Sequence, residues 1–321
     1  MSRRSKGRDI HGVVLLDKPA GLSSSQAVQK VRWLFEARKA GHTGSLDPFA
    51  TGMLPICLGE ASKTAGFMLD ASKRYVAEAR LGQATRTGDP EGEVVEEAAV
   101  PGSDCAPVRA ALESFKGAIW QVPPMYSALK HEGQRLYKLA RAGQEVPRQA
   151  RQVTVHELDL ERWEPPALVF RVHCSKGTYV RTLAEDIARE LGSCAHLVAL
   201  RRLAVEPFRE EDMVGLTQLA ALKEAGALER CLLPPDAGLQ DWPTVTLGEA
   251  EAGRFRRGGV IVEAGSAGEA GSAGIGSEAA VAPGLVRVYD PSGVLLGLGE
   301  IDAELRLKAR RGFNLEAGAG V

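Results

Sequence analysis

Apolar residues run unbroken from Gly12 to Leu16 and stop at Asp17-Lys-Pro-Ala-Gly21, which predicts a short buried strand closed by a turn. Ser23 followed by Gln26 three positions later has the form of a capping box. Ala27, Val28, Val31, Leu34 and Phe35 then recur at helical spacing. The period changes to two at Tyr75, Ala77, Ala79 and Leu81, which alternate with Glu78 and Arg80, so a strand with one buried face is expected there. Residues 107–116 and 133–142 pattern as amphipathic helices, and residues 152–163 and 168–174 as strands. Val180, Leu183, Ile187 and Leu191 place one apolar face on a helix from Tyr179 to Leu191, ended by Gly192. Between these, residues 41–59 hold four glycines and two prolines, a composition that predicts neither a regular helix nor a central strand through its middle. Strands interleaved irregularly with helices point to an α+β fold.

Beyond Trp242 the pattern shortens. Thr244–Leu247, Leu285–Asp290, Val294–Ile301 and Arg306–Lys308 read as brief strands around the turn Asp290-Pro-Ser-Gly293, which suggests a small all-β module. Residues 264–284 include six Gly and seven Ala and no aromatic residue, so they are expected to form a flexible loop whose deletion leaves activity almost intact. With 321 residues the chain has room for two domains and a sizeable core.

Five scattered cysteines, none in a C-x-x-C pair, argue against a disulfide framework and a zinc site, and fit a reducing cytoplasm. No apolar run reaches the ~18 residues of a membrane span, and the basic start Met1-Ser-Arg-Arg-Ser-Lys-Gly is followed by no secretory apolar region. Formal charge is −1, but it is segregated: residues 1–40 carry +6, 81–115 carry −5, 116–202 carry +5 and 203–253 carry −7. Two basic blocks can make a local anion-binding surface under a balanced total, although charge clusters of this size are commonly solvated faces.

Neither G-x-x-x-x-G-K-[ST] nor G-x-G-x-x-G occurs, so the glycine-rich segment is not a nucleotide-phosphate cradle of those types. It contains one carboxylate, Asp47, before Pro48. Glycines let a backbone approach a ligand closely, and a lone acid there is suited to nucleophilic attack. Asp-Pro is also a common turn starter. His42 on its own fits an exposed loop residue, Tyr75 and Tyr179 fit core aromatics, and Arg181 fits a surface ion pair.

Together these residues carry a resemblance. Gly41-His-Thr-Gly-Ser-Leu-Asp-Pro-Phe-Ala-Thr-Gly-Met-Leu-Pro-Ile-Cys-Leu-Gly-Glu-Ala-Ser-Lys63 resembles the signature segment of the bacterial tRNA pseudouridine synthase B family. So do Asp17–Gly21, Arg74-Tyr-Val-Ala-Glu-Ala-Arg-Leu-Gly82, Lys176-Gly-Thr-Tyr-Val-Arg-Thr-Leu183 and Ala195-His-Leu-Val-Ala-Leu-Arg-Arg202, all in the family's order. Val286-Arg-Val-Tyr-Asp and Leu296-Gly-Leu-Gly-Glu300 resemble the small RNA-binding barrel, called PUA, that follows in this family.

The resemblance implies an α+β synthase core, with a mixed, largely antiparallel sheet flanked by helices, and a PUA-like β-barrel after it. The implied division is a basic extension at 1–10, a catalytic domain at 11–241 and the PUA-like module at 242–315. It implies isomerisation of the T-loop uridine at position 55 of tRNA: uracil leaves the ribose through N1 and rejoins it through C5, without cofactor or metal. A tRNA T-arm stem-loop is the implied partner, bound by a cytoplasmic monomer with no obligate protein partner. Asp47 matches the family's essential aspartate, Arg181 the arginine that pairs with it, and Tyr75 a tyrosine against the target base and candidate for proton transfer. Tyr179 and Leu200 match residues lining the uracil pocket, and His42 one that fills space when the base flips out. Attack at the sugar, attack at the base and a glycal route all remain open. Ser24, where Thr is usual, and the run Leu203-Ala-Val-Glu-Pro-Phe208 depart from the family pattern.

Rival readings are a tRNA-folding chaperone with catalysis secondary, a relative of the RNA-guided synthases, and a glycoside hydrolase. The last needs a second acid about 5–10 Å from the first, and Glu60 is the nearest that follows Asp47 in sequence.

Overall fold

The computed structural model describes residues 7–261 and 282–315; the expectations for residues 1–6 and for most of the 264–284 segment lie outside the described residues. β1 (Gly12–Lys18) leads into α1 (Ser24–Leu34), where Ser23 and Gln26 form the capping box. β2 (Ala40–His42) and β3 (Thr51–Leu58) follow, then α2 (Ala65–Asp70) and β4 (Lys73–Leu81). A hairpin of β5 (Gln83–Thr85) and β6 (Val94–Glu97) precedes α3 (Cys105–Ser114), capped by Asp104, and β7 (Gly117–Gln121). Residues 122–150 rise from β7 and contain β8 (Lys130–His131), β9 (Gln134–Arg135) and α4 (Leu136–Arg141). The core closes with β10 (Arg151–Glu164), β11 (Ala167–Cys174), α5 (Val180–Glu190), β12 (Ala195–Val205), β13 (Val214–Gly215) and α6 (Leu216–Glu224). The terminal module consists of β14 (Thr244–Thr246), α7 (Glu249–Arg256), β15 (Gly284–Tyr289), β16 (Leu295–Ile301) and β17 (Leu307–Gly312).

Nine strands form one sheet in the order β13-β1-β3-β12-β4-β11-β10-β7, with β2 added against β3. Only β1/β13 and β3/β12 run parallel, so the sheet is mixed and largely antiparallel, as expected. The alternation in β4 buries Tyr75, Ala77, Ala79 and Leu81 against α3 and α5, whose Val108, Leu112, Leu183 and Ile187 share the same core. At the other end, the two faces of β1 and β3 enter two different cores, Val14, Leu16, Leu54 and Ile56 in one and Val13, Leu15, Met53 and Cys57 in the other. Burial on both faces is why β1 reads as a continuous apolar run.

Two expectations are corrected. Residues 51–58 are a central strand, β3, despite Pro55. Pro55 stands opposite Leu15 of β1, and its carbonyl accepts from the Thr43 N–H on the other side at 3.1 Å. The position of its missing N–H therefore faces away from β1, in the gap between the two short pairings at Thr51–Gly52 with β12 and Ile56–Leu58 with β2. No ladder bond to β1 is lost there, so the usual cost of proline in a sheet is avoided. The second correction is the helix expected over 133–142. Glu132 and Gly133 take φ of 49° and 83°, which makes a tight turn between β8 and β9 and delays the helix to Leu136.

Beyond Trp242 the expected strands pair as a four-stranded sheet, β14-β15-β16-β17. α7 is an addition, its pattern masked by Gly248, Gly253 and Gly258; it buries Ala252 and Phe255 against Val286, Val288 and Leu307. This module is tied to the core by Arg287 on Asp236 at 3.2 Å, by the Tyr289 hydroxyl on the same carboxylate, and by Lys63 Nζ on the Gly312 carbonyl at 2.7 Å. Glu60 accepts from the Asn314 N–H at 2.7 Å.

Candidate active site

The chain from Thr43 to Ala50 crosses the mouth of the sheet as an irregular loop, and side chains from three other elements grip its backbone. Ser24 Oγ, at the start of α1, donates to the Leu46 carbonyl at 2.9 Å and accepts from the Leu46 N–H at 2.8 Å. Lys18, fully buried at the end of β1, donates to the carbonyls of Pro19, Leu22 and Pro48 at 2.9, 2.8 and 3.3 Å. Arg202 of β12, equally buried, donates to the Met53 carbonyl at 2.6 Å and reaches Gly44 and Ser45 at 3.2 and 3.5 Å. Gly52 makes this approach possible. Its φ is +96°, and a Cβ there would lie 2.2 Å from the Arg202 carbonyl oxygen.

On this loop Asp47 Oδ2 meets Arg181 Nε at 3.0 Å. The arginine side chain is only 5% exposed, whereas Asp47 keeps 37% of its own exposed, so the carboxylate is paired from behind and open in front. The guanidinium is held on every side. Nη1 donates to the Thr87 carbonyl at 2.6 Å and stands 3.5 Å from Asp89 Oδ2, and Nη2 donates to the Tyr126 carbonyl at 2.7 Å. Asp89 is itself committed: it accepts from Thr87 Oγ1 and from the Glu91 N–H. Burial raises the Asp47 carboxyl above its ordinary value; Arg181 opposes this, Asp89 adds to it and Lys18 opposes it. Burial also brings the Lys18 ammonium down to about 8.

Tyr75 and Leu200 face the same core as Leu46 and Ala50, from adjacent strands β4 and β12. Burial pushes the Tyr75 phenol up, with Arg202 opposing, so it is protonated at neutral pH. Tyr179 is the N-cap residue of α5, two positions before Arg181, and burial likewise raises its phenol. His42, on β2, is less closely drawn in. Its imidazole is lowered by burial and by the positive charges of Arg202 and Arg135, which keeps it neutral at pH 7, and its buried Nδ1 has no hydrogen-bond partner among the described residues.

Asp47 and Arg181 are therefore brought into direct contact, Tyr75 and Leu200 share a core with Leu46 and Ala50 of the same loop, and Arg181 is buried where its sequence alone fits a surface pair. Lys18, Asp89 and Arg202 are the residues sequence reasoning did not single out, and Ser24 entered it only as a departure from the family pattern. Lys18 had a signal, a cation ending a buried strand pattern; Arg202 lies inside β12, which the sequence pattern did not show, and Asp89 lies in an acidic block that reads as solvated. Glu60 is engaged by Lys63 and Asn314, and Asp89 is buried beneath Arg181, so neither is a free second acid of the kind a glycosidase needs.

Comparison with known proteins bears on this geometry. Models described as the TruB family pseudouridylate synthase N-terminal domain, the tRNA pseudouridylate synthase B C-terminal domain and the pseudouridine synthase II TruB C-terminal domain match residues 32–180, 181–240 and 243–313. Fold and site thus define a pseudouridine synthase. Two curated proteins named tRNA pseudouridine synthase B are close relatives. The one from Pectobacterium atrosepticum is 47% identical over 97% of this chain and 98% of its own. The one from Nitrosococcus oceani is 49% identical over 96% of each. The chain belongs to the TruB family. Among solved structures, a chain of a Cbf5-Nop10-Gar1 complex is similar with a TM-score of 0.68 and 26% identity, over 95% of this chain and 84% of that one.

Proposed function

We propose that this pseudouridine synthase converts the T-loop uridine at position 55 of tRNA to pseudouridine, with Asp47 as the nucleophile and the target base flipped out of its stack. Its family and the name shared by its curated relatives support tRNA as the substrate. The observation that carries the role of Asp47 is its pairing: a buried arginine favours the ionised carboxylate from behind while the front stays open. The bond from N1 to C1′ breaks, the freed uracil turns, C5 bonds to C1′, and the proton on C5 is lost to solvent while N1 gains one. Attack at the sugar, attack at the base and a glycal route all require that carboxylate.

Tyr75, protonated and beside Asp47, supplies a flat platform for the base and a candidate proton carrier. Tyr179 and Leu200 complete the uracil pocket. Flipping costs a few kcal/mol, partly offset by His42, a neutral imidazole able to stack where the base has left. No residue here needs a cofactor or metal for these steps. The same RNA surface would assist tRNA folding. The chain acts as a cytoplasmic monomer without an obligate protein partner, with its catalytic domain at 11–241 and its PUA-like module at 242–315; among the described residues no helix is long and apolar enough to cross a membrane.

Tritium release from a T-arm stem-loop carrying 5-³H-uridine tests this, because forming the C5–C1′ bond expels that hydrogen. Wild type should release tritium and Asp47→Ala should not, with RNA binding retained. Release by both would remove Asp47 from its role. Release by neither, with binding intact, would leave the chaperone reading.

A further inference from the structure

Residues 122–150 rise from the end of β7 on a limb that touches residues 179–181 twice. Gln121, the last residue of β7 and only 2% exposed, pairs its side-chain amide with the backbone of Tyr179. Its Oε1 accepts from the Tyr179 N–H at 3.0 Å and its Nε2 donates to the Tyr179 carbonyl at 3.4 Å. Tyr179 is the N-cap residue of α5 and makes no side-chain capping bond. Its carbonyl accepts the first bond of the helix, from Leu183, at 3.0 Å. Gln121 therefore does for the entry to α5 what a capping side chain does elsewhere: it fixes where the first turn starts. Arg181 lies in that turn. Five residues along the same limb, the Tyr126 carbonyl accepts from Arg181 Nη2 at 2.7 Å. The returning limb is held by Arg148, which donates to the Pro123 carbonyl at 3.0 Å.

Above this root stand Lys130, Arg135, Lys138 and Arg141, with Arg151 at its return, and none has an acid partner among the described residues. Lys116 and Arg148, in the same basic block, are paired with Glu113 and Glu145. A polyanion held by the unpaired cations bears on a limb whose two contacts locate the backbone and the guanidinium of α5's first turn.

We propose that Gln121 is a positioning residue: by seating Tyr179 it sets Arg181 against Asp47, and it makes that pair responsive to RNA held by residues 122–150. This rests on the assignment of Asp47 made above. A buried amide that merely filled space would be replaceable by an apolar side chain of equal size. One that sets the catalytic pair would not, since small misplacements of reacting groups cost rate steeply.

The test is Gln121→Met in the full-length protein, with single-turnover tritium release, RNA Kd and thermal melting measured together across pH. The rate is expected to fall about tenfold or more, with the Kd unchanged within about twofold and the melting transition retained. The acid limb of the rate profile should also move to higher pH, because Arg181 opposes the burial that raises Asp47. The other charged groups facing that carboxylate, Lys18 from β1 and Asp89 from the loop after β5, remain in place. A wild-type rate and acid limb in Gln121→Met would overturn the proposal, as would a lower rate with the acid limb unmoved. If Gln121→Met does not fold, Gln121→Leu takes its place, and failure of both to fold would show a purely structural residue. Asp47→Ala is run alongside: tritium release by that variant sinks the nucleophile assignment itself, whereas its silence beside a fully active Gln121→Met sinks only the positioning role.

Discussion

At the scale of single residues, the site is a contest over the charge of one carboxyl group. Burial and Asp89 favour the protonated Asp47, while Arg181 and Lys18 favour the ionised form that the proposed chemistry needs. A raised pKa places the acid limb of the rate profile above the ordinary carboxylate value of 3.8, and activity is lost as pH falls through it. Arg181→Met removes the closest favourable charge, so the limb should shift further up in pH and the rate should drop on the order of 10²-fold. A pH–rate profile of single-turnover tritium release checks both, and an unmoved limb would show that Arg181 does not govern the ionisation of Asp47. Part of this was readable in advance. The pair itself follows from motif resemblance, because each partner lies inside a distinctive local run. Asp89 and the Thr87 and Tyr126 carbonyls do not, because what makes them partners is burial under Arg181, a property of three-dimensional packing that an acidic, hydrophilic stretch conceals.

At the scale of elements, the loop that carries Asp47 is an insertion between two strands that cannot hold itself, so β1, α1 and β12 hold it through Lys18, Ser24 and Arg202. Gly52→Ala tests the tightest of these joints. The added methyl would meet the Arg202 carbonyl at 2.2 Å with φ at +96°, and both conflicts must be relieved by parting β3 from β12. We expect a loss of about 1–3 kcal/mol in stability, read as a lower melting temperature. Activity should fall further than stability alone requires, because the same arginine holds the carbonyls of Gly44, Ser45 and Met53. Elements defined by local rules, such as α1 with its capping box and the alternating β4, are visible in sequence. β3 is not: whether proline is tolerated in a central strand depends on what lies beside its nitrogen, and that is set by the register of β1, β2 and β12. The turn at Glu132–Gly133 was hidden for a similar reason, since the helical spacing read over 133–142 does not reveal that Gln134 and Arg135 are taken by pairing with β8.

At the scale of the whole molecule, a net charge of −1 is compatible with RNA binding because pairing is uneven. In the basic block at 1–40, Arg8 is paired with Glu229, Arg38 with Asp9, and Lys18 is buried under the loop that carries Asp47, which leaves Lys30, Arg32 and Lys39 as its described cations without an acid partner. Cations already neutralised by neighbouring carboxylates release few counterions from RNA when it binds. In residues 116–151, the first part of the second basic block, five cations, Lys130, Arg135, Lys138, Arg141 and Arg151, have no acid partner among the described residues. Affinity for the T-arm should therefore fall linearly on a log–log plot against salt, with a slope of about −0.7 to −0.9 per phosphate contacted. Replacing Lys138 and Arg141 by Ala should reduce the magnitude of that slope by about 1.4–1.8 and weaken binding across all tRNA sequences alike. Replacing Arg8 and Arg38 should change it much less, although the two blocks have nearly equal formal charge in sequence. Filter binding from low to high salt compares the two double variants directly. Equal slopes for them would mean that formal charge, not its pairing in the fold, sets how this enzyme holds RNA.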